Sequence, residues 1–391
     1  MKALLLDLDD TLLTNGLSSF FPAYFEQISR TMQDLFPPQE FLRHLQAGTR
    51  AMLANQDPAR TLREAFAEVF YPALGRTEAE LLPRFEDFYR RVFPSLRDLT
   101  QARPAAQTLV EQSRAAGYVL AIATNPVLPR MAIEERLRWA GVPPQDGTYA
   151  LITCYEEFHF AKPHPAFYAE VIGRLGVRPA EAGMVGNDVL HDLDPARAIG
   201  LATFHVAESP DPAHEGGGLE QVLPWASRAT SPPATREAQP TSVKNRLRGH
   251  LAAARGLAAG LRPEAGARRP SAEEWSPVEI VCHLRDVDRE VNRPRLKRLL
   301  QRENPFLPPV DPDQWASQRN YRQEDITLAL NEFTHIRKAL LARLESLEPA
   351  EWQRTARHAL LGPTTLAELM AVICEHDVLH LAQLRRALPS G

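Results

Sequence analysis

Only three cysteines, Cys154, Cys282 and Cys374, occur in the 391 residues, and none stands in a CxxC pair. That scarcity excludes a disulfide framework and a zinc ribbon, and a reducing cytoplasm is the expected setting. An excess of charge is also missing. The 45 basic residues face 49 acidic ones, leaving a net charge of -4 and no electrostatic case for nucleic acid or an anionic membrane surface. No apolar run approaches the ~18 residues that span a bilayer, and the short N-terminal run is too acidic for a signal peptide. The expected partner is therefore a small molecule, and the length suggests two domains.

What is present begins at once. Ala3 to Leu6 form an apolar run that ends in Asp7, Asp9, Asp10 and Thr11. Such a run suits a strand buried on both faces of a parallel sheet, with its polar end where ligands bind such sheets. Side chains alternate along a strand, so Asp7 and Asp9 face one site while Asp10 points away. Two like charges there need a cation or a shared proton, and a hard ion such as Mg2+ points to phosphoryl chemistry. Three further apolar runs end in polar groups. Thr124-Asn125 and Lys162 can hold phosphate oxygens, and Gly183-Met-Val-Gly-Asn187-Asp188 with Asp192 can complete a Mg2+ shell.

Apolar runs at 119–123, 151–153, 184–185 and 202–206 alternate with helical patterns, which predicts an open, largely parallel α/β sheet over residues 1–226. Residues of about 18–99 interrupt this rhythm with helical periodicity and read as an inserted helical subdomain. Thr14, Asn15 and Gly16 are then its hinge candidates. Arg50, Arg60, Arg63 and Arg76 could meet an anionic substrate, although a solvated helix face is the plainer reading. Residues 227–242, rich in Pro, Ser, Thr and Ala, read as a linker. From 243 to 391 four helical stretches (243–261, 277–302, 324–347 and 366–388) suggest a four-helix bundle. Ser276 with Glu279 and Thr365 with Glu368 form capping boxes at two of the starts, and Pro294 should kink or end the second helix.

The ordered set of DxDxT, Thr-Asn, Lys-Pro and GNDxxxD resembles the haloacid dehalogenase-like (HAD) superfamily over residues 1 to about 226. The resemblance implies a Rossmann-like core (1–17 and 100–226) with a helical type 1 cap (about 18–99). It implies that Asp7 is the nucleophile, forming an aspartyl-phosphate, and that Asp9 is the general acid and base. Mg2+ would be held by Asp7, the Asp9 carbonyl and Asp188, with Asp192 supporting. Thr124, Asn125 and Lys162 would bind the phosphoryl oxygens of a small-molecule phosphate ester. An acid two residues after the nucleophile favours a phosphatase, since halide departs without a proton; dehalogenation is the alternative.

In the last helix His376 and His380 lie at i and i+4, one face of a helix, and His283 lies inward in the second. Three imidazoles from two helices make an open metal site. With Trp275-Ser-Pro upstream and His376-Asp-Val-Leu-His380-Leu-Ala-Gln383, residues 243 to 390 resemble the DinB-like (DinB/YfiT) superfamily of four-helix metalloproteins. The resemblance implies a divalent transition metal, often Zn2+ or Ni2+, and for some members a transferase reaction with a low-molecular-weight thiol. It also offers homodimerisation by analogy. A bundle that dimerises, or senses a metal or thiol, without catalysis is the competing reading. Glu279 and Asp286, a turn either side of His283, are candidates to support it. Trp315 and Tyr321 are candidates to line a pocket, with core packing as the default.

Overall fold

The computed structural model describes residues 1–145, 147–229 and 238–388, with the side chains of 17 and 18 outside that description. Half of the expected linker, 230–237, also lies outside it. The chain divides into two compact units. One spans the residues up to 229 except 169–178 and 198–200, and the other comprises those two segments and residues 238 onward.

In the first unit β1 (Ala3–Leu6) leads through β2 (Leu13–Asn15) into four helices, α1 (Leu17–Thr31), α2 (Pro38–Leu53), α3 (Leu62–Ala73) and α4 (Glu78–Asp87). A π turn and a 3-10 turn then carry the chain to Leu99. The return strand β3 (Thr100–Ala102) pairs antiparallel with β2, Leu13 opposite Ala102, so the insert leaves and re-enters through a two-stranded neck. Along the chain follow α5 (Pro104–Ala115), β4 (Val119–Ile122), α6 (Arg130–Trp139), β5 (Leu151–Ile152), α7 (Pro165–Leu175), β6 (Ala182–Gly186), α8 (Asp194–Ala198), β7 (Ala202–Val206), β8 (Glu215–Gly217) and α9 (Val222–Arg228), of which α7 from residue 169 and the last residue of α8 are counted with the second unit.

Six strands form a parallel sheet in the order β5-β4-β1-β6-β7-β8. The register explains the apolar run of β1. Its residues pair with β4 on one side (Leu6 with Ile122) and with β6 on the other (Leu6 with Val185), and Ala3 to Leu6 are 0 % exposed. A strand hydrogen-bonded on both edges and covered on both faces leaves no place for a polar side chain until it ends. The edge strand β8 is the one the sequence pattern does not announce, since Glu215-Gly-Gly has no apolar side chain. In the insert, Gly48 lets α2 and α3 close together, because a Cβ there would meet Phe66 at 2.6 Å. Phe66 and Phe70 stack behind it with ring centroids 4.6 Å apart.

In the second unit α10 (Pro240–Ala258) and the short α11 (Pro263–Gly266) precede α12 (Pro277–Val287), a π turn at Asp288–Asn292 and α13 (Arg293–Gln301). The stretch read as one helix is thus interrupted by the π turn, and Pro294, which has no N–H to donate, lies in the first turn of α13 directly after it. After β9 (Phe306–Leu307) and α14 (Trp315–Gln318) come α15 (Ile326–Glu345), β10 (Thr355–His358), β11 (Gly362–Thr365) and α16 (Leu366–Ala387). The region expected to be all helix carries a three-stranded sheet, β11-β10-β9, beside its helices. Both capping boxes are present, the Ser276 hydroxyl with Glu279 and the Thr365 hydroxyl with Glu368.

An ionic chain runs through the bundle interior. The Arg337 guanidinium on α15 donates to Asp288 at 2.5 Å and to Asp377 of α16 at 2.5 Å, and all three residues are buried. Burial alone would lower the guanidinium, but Asp288 and Asp377 outweigh it and hold it above its ordinary range. Replacing Arg337 by methionine strands two buried carboxylates, so Arg337→Met is expected to destabilise the second unit by about 3–5 kcal/mol. Denaturant unfolding of the full chain measures this. A loss below about 1 kcal/mol would mean that the carboxylates find water or another cation.

Candidate functional site

The carboxyl ends of β1, β4 and β6, with the loop after β5, bring Asp7, Asp9, Thr124, Asn125, Lys162, Asp188 and Asp192 onto one cavity of about 810 Å³. Asp7 leaves β1 directly and is 5 % exposed. Its Oδ1 accepts from Lys162 Nζ at 2.8 Å and its Oδ2 from the Thr11 hydroxyl at 2.8 Å. Lys162 Nζ also donates to Asp192 Oδ1 at 2.5 Å. The ammonium therefore bridges two buried carboxylates. Burial would lower it, and Asp192 and Asp7 together raise it above its usual range. Asp192 is pushed up to about 6 by burial and by Asp7, with Lys162 opposing. Gly186 makes this approach possible, since any Cβ would collide with the Asp192 carboxylate. Asn125 Oδ1 accepts the Lys162 backbone N–H at 3.2 Å and so fixes the lysine loop.

Between Asp9 and β2 the chain reverses through Asp10, whose left-handed φ is 55°. The Asp10 carboxylate accepts the Asn15 N–H at 2.8 Å, and Asn15 Nδ2 donates to Asp9 Oδ1 at 2.9 Å. The neck of the insert is thereby tied to Asp9. On the other side Arg136 of α6, 2 % exposed, forms an ion pair with Asp9 and lies over the Phe20 ring at 5.1 Å. Burial pushes this guanidinium down to about 10 while Asp7 opposes the fall. Sequence reasoning missed Arg136 and gave Thr11 no role. The signal for Arg136 was a charge lying on the Ile133, Leu137, Ala140 stripe of an amphipathic helix.

Asp188 differs from the other acids, its side chain being 47 % exposed. It caps the π turn that follows, accepting the N–H groups of Leu190 and His191, and it contacts the His191 ring at 3.0 Å. Burial would raise its pKa, and these hydrogen bonds lower it instead. Asp7, Asp9, Asp10, Asp188 and Asp192 thus face two cations, Lys162 and Arg136. An all-oxygen donor set with surplus negative charge fits a hard divalent ion. In this arrangement Asp7, Asp188 and Asp192 do not draw together into a three-ligand cluster among the described residues.

The histidines do. His283 Nε2 and His380 Nε2 each lie 3.1 Å from His376 Nε2. His380 Nδ1 lies 2.7 Å from Gln383 Oε1, an acceptor, which assigns its proton to Nδ1 and leaves Nε2 a lone pair. His376 Nε2 has at most one proton for two such neighbours, so convergent lone pairs remain, and a cation satisfies them. Burial, then the neighbouring imidazoles, pushes His283 down to about 2. His380 falls to about 4 by burial and His376, and burial lowers His376 too. The three rings are neutral donors near pH 7. Trp275 stacks on His380 with centroids 5.7 Å apart and planes at 5°, and it packs on His283 at 4.9 Å. Trp275, His376 and His380 line an open cavity of about 1460 Å³.

The other residues near this triad do not join it. Glu279 is taken by Ser276 and Arg269, and Asp286 is held by Arg285, Arg319 and Tyr321, so neither supports His283. Tyr321 is buried, and Arg319 lies over the Trp315 ring at 4.1 Å; neither aromatic lines the triad cavity.

Comparison with known proteins gives two matches of family scale. The model of haloacid dehalogenase-like hydrolases matches residues 1–200. The chain belongs to that family and is a hydrolase. The DinB superfamily model matches residues 246–384, so a DinB-like domain follows the HAD-like one. Among curated proteins, the phosphoserine phosphatase of Thermus thermophilus is 29 % identical over 238 residues, 53 % of this chain and 88 % of that protein. A protein of Oceanobacillus iheyensis provisionally described as a metal-dependent hydrolase is 30 % identical over 111 residues, 28 % of this chain and 63 % of its own length. Among solved structures, YfiT from Bacillus subtilis, a probable metal-dependent hydrolase with a four-helix bundle, aligns with a TM-score of 0.35 at 19 % identity, covering 38 % of this chain and 85 % of that one. No helix among the described residues is long and apolar enough to cross a membrane.

The bridge at Lys162 generates a test. In Lys162→Met, Asp7 and Asp192 confront each other without a cation, and their repulsion exists only when both are ionised. The folded pKa of Asp192, already about 6, then rises further above its unfolded value, so stability falls as pH rises. Thermal melts in a chelator are expected to show a deficit of about 3 kcal/mol near about pH 8 that shrinks toward about pH 5. A deficit independent of pH would refute the bridging role.

Proposed function

We propose that the HAD-like domain of this hydrolase is a Mg2+-dependent phosphatase acting on a small-molecule phosphate monoester. The observation that carries the reading is Asp7, buried at the end of β1 with one oxygen on Lys162 and the other on Thr11. Such a carboxylate is oriented for attack and has its charge balanced by a neighbour that can also meet phosphoryl oxygens. The Asp7 oxygen would bond to phosphorus as the bond to the leaving oxygen breaks, and Asp9 would give that oxygen its proton. Asp9 would then take a proton from water as water displaces Asp7 from phosphorus, releasing phosphate. Asn15 and Arg136 hold the Asp9 side chain for both transfers. Thr124 and Asn125, which line the same cavity, would hold the phosphoryl group. Asp7, Asp188 and the Asp9 carbonyl would hold Mg2+, with Asp192 in support through Lys162; when bound, the ion offsets charge on the phosphoryl oxygens. Phosphatase is favoured over dehalogenase because the leaving oxygen of an ester needs a proton, which Asp9, two residues after Asp7, would supply, whereas a departing halide needs none.

For the DinB-like domain we propose a divalent transition metal, Zn2+ or Ni2+, on His283, His376 and His380. The convergent nitrogens support this, and the adjoining cavity at Trp275 favours a site open to a ligand, such as a low-molecular-weight thiol, over a closed structural one. Catalysis with a thiol is the active reading, with sensing or homodimerisation through the bundle as the second. The buried free thiols of Cys154, Cys282 and Cys374 suit a reducing cytoplasm.

Two measurements test these assignments. Hydrolysis of a phosphate ester panel is expected to need Mg2+ and to fall about 10³-fold or more in Asp7→Asn. Turnover that survives in Asp7→Asn would overturn the nucleophile. The purified chain should carry stoichiometric transition metal by elemental analysis, lost in His376→Ala/His380→Ala. Full occupancy in that variant would place the ion elsewhere.

A further inference from the structure

A second cavity lies in the helical insert and adjoins the phosphoryl site, with Phe21, Val127 and Leu128 lining both. Its void is small, about 70 Å³ reachable by the centre of a water molecule, which is room for a ring and not for a large ligand. Aromatic rings dominate its wall, among them Phe25, Phe66, Phe85, Tyr71 and Tyr155. No Asp, Glu, His, Lys or Arg lines it among the described residues. Of its five hydroxyls, those of Tyr24, Tyr89 and Thr49 are already bonded within the wall. The Tyr24 and Tyr89 hydroxyls bond at 2.8 Å, and the Thr49 hydroxyl donates to the Leu45 carbonyl at 2.9 Å. Burial pushes Tyr24 up to about 12 and Tyr89 well above its ordinary value, so both stay neutral.

The arginines of the insert that could have met an anion are turned to other work. Arg60 binds Asn55 and Glu68, Arg63 binds Glu78, and Arg76 faces Glu80, while Arg50 is exposed. A leaving group with an ammonium and a carboxylate would enter this cavity with no counter-charge, and burying an unpaired ion is costly. An uncharged ring would find edge and face contacts on every side.

We propose that the leaving group of the substrate is an uncharged, apolar alcohol of about the size of an aromatic ring, seated in this cavity while its phosphoryl group lies against Asp7. The assignment rests on the phosphatase reading and adds the substrate class to it. It also sets this chain apart from its phosphoserine phosphatase relative, whose name specifies a zwitterionic leaving group.

The test compares 2-phenylethyl phosphate with phosphoserine, both esters of primary alcohols, with acetyl phosphate as a reactive control, using the full chain and Mg2+. The kcat/KM for 2-phenylethyl phosphate is expected to exceed that for phosphoserine about 100-fold, and in Thr49→Arg the ratio should fall at least about tenfold. Turnover of acetyl phosphate that depends on Asp7, with phosphoserine equal or preferred, would overturn the leaving-group assignment and leave the phosphatase standing. Turnover of none of the three would overturn the phosphatase reading itself. The wild-type ratio decides without any variant, so a Thr49→Arg protein that failed to fold would not protect the proposal.

Discussion

Asp7 and Asp192 can stand side by side as buried carboxylates only while a cation lies between them, and Lys162 is that cation. Two unit charges about 4 Å apart interact by about 4 kcal/mol at an effective dielectric constant of about 20, a large share of a domain's stability. The sheet order follows this requirement. β1 occupies the centre, β6 delivers Asp188 and Asp192 from one side, and β4 delivers Thr124 and Asn125 from the other. Lys162 arrives from beyond β5, and Asn125 takes its backbone N–H. No segment of the sequence holds this site alone; the parallel register assembles it.

The bundle meets a different electrostatic problem. Its three imidazoles are neutral and carry more lone pairs than protons toward one another, so what they lack is a positive charge. Nearby, Arg337 neutralises Asp288 and Asp377, and Asp377 adjoins His376 on α16. That ion pair fixes the helix that carries two of the three nitrogens. Oxygen donors at one site and imidazoles at the other would favour hard and borderline ions respectively, so on the proposed reading the two sites would not compete for one metal.

Much of this was legible because the chemistry sits at element ends. An apolar run followed by Asp7, Asp9 and Thr11 has few readings, and spacing places His376 and His380 on one helix face whatever the tertiary fold. The three-stranded sheet of the second unit was not legible, because β9 is two residues long and β11 begins Gly-Pro. Arg136 and Arg337 were missed for a shared reason. In an amphipathic helix a charged residue is assigned to solvent by default, yet both lie on the apolar stripe, Arg136 with Ile133 and Leu137, Arg337 with Phe333 and Leu340. A charge on a buried stripe is evidence of a buried partner. The partners themselves, Asp9 and Asp288 with Asp377, come from elsewhere in the chain, and spacing cannot name them.

The division between core and insert bears on how a substrate would be chosen. All the cationic and most of the polar groups that can meet a phosphoryl group come from the core, and the insert adds rings. Burying about 150 Å² of apolar leaving group at about 25 cal/mol per Å² is worth about 4 kcal/mol. Realised in the transition state, that is close to three powers of ten in kcat/KM. A charged leaving group would forfeit this gain and add the desolvation of its ions in a cavity with nothing to pair them. On the proposed reading the core shared with the family would set the reaction, and the wall of the insert, where Phe21 borders both cavities, would select the alcohol.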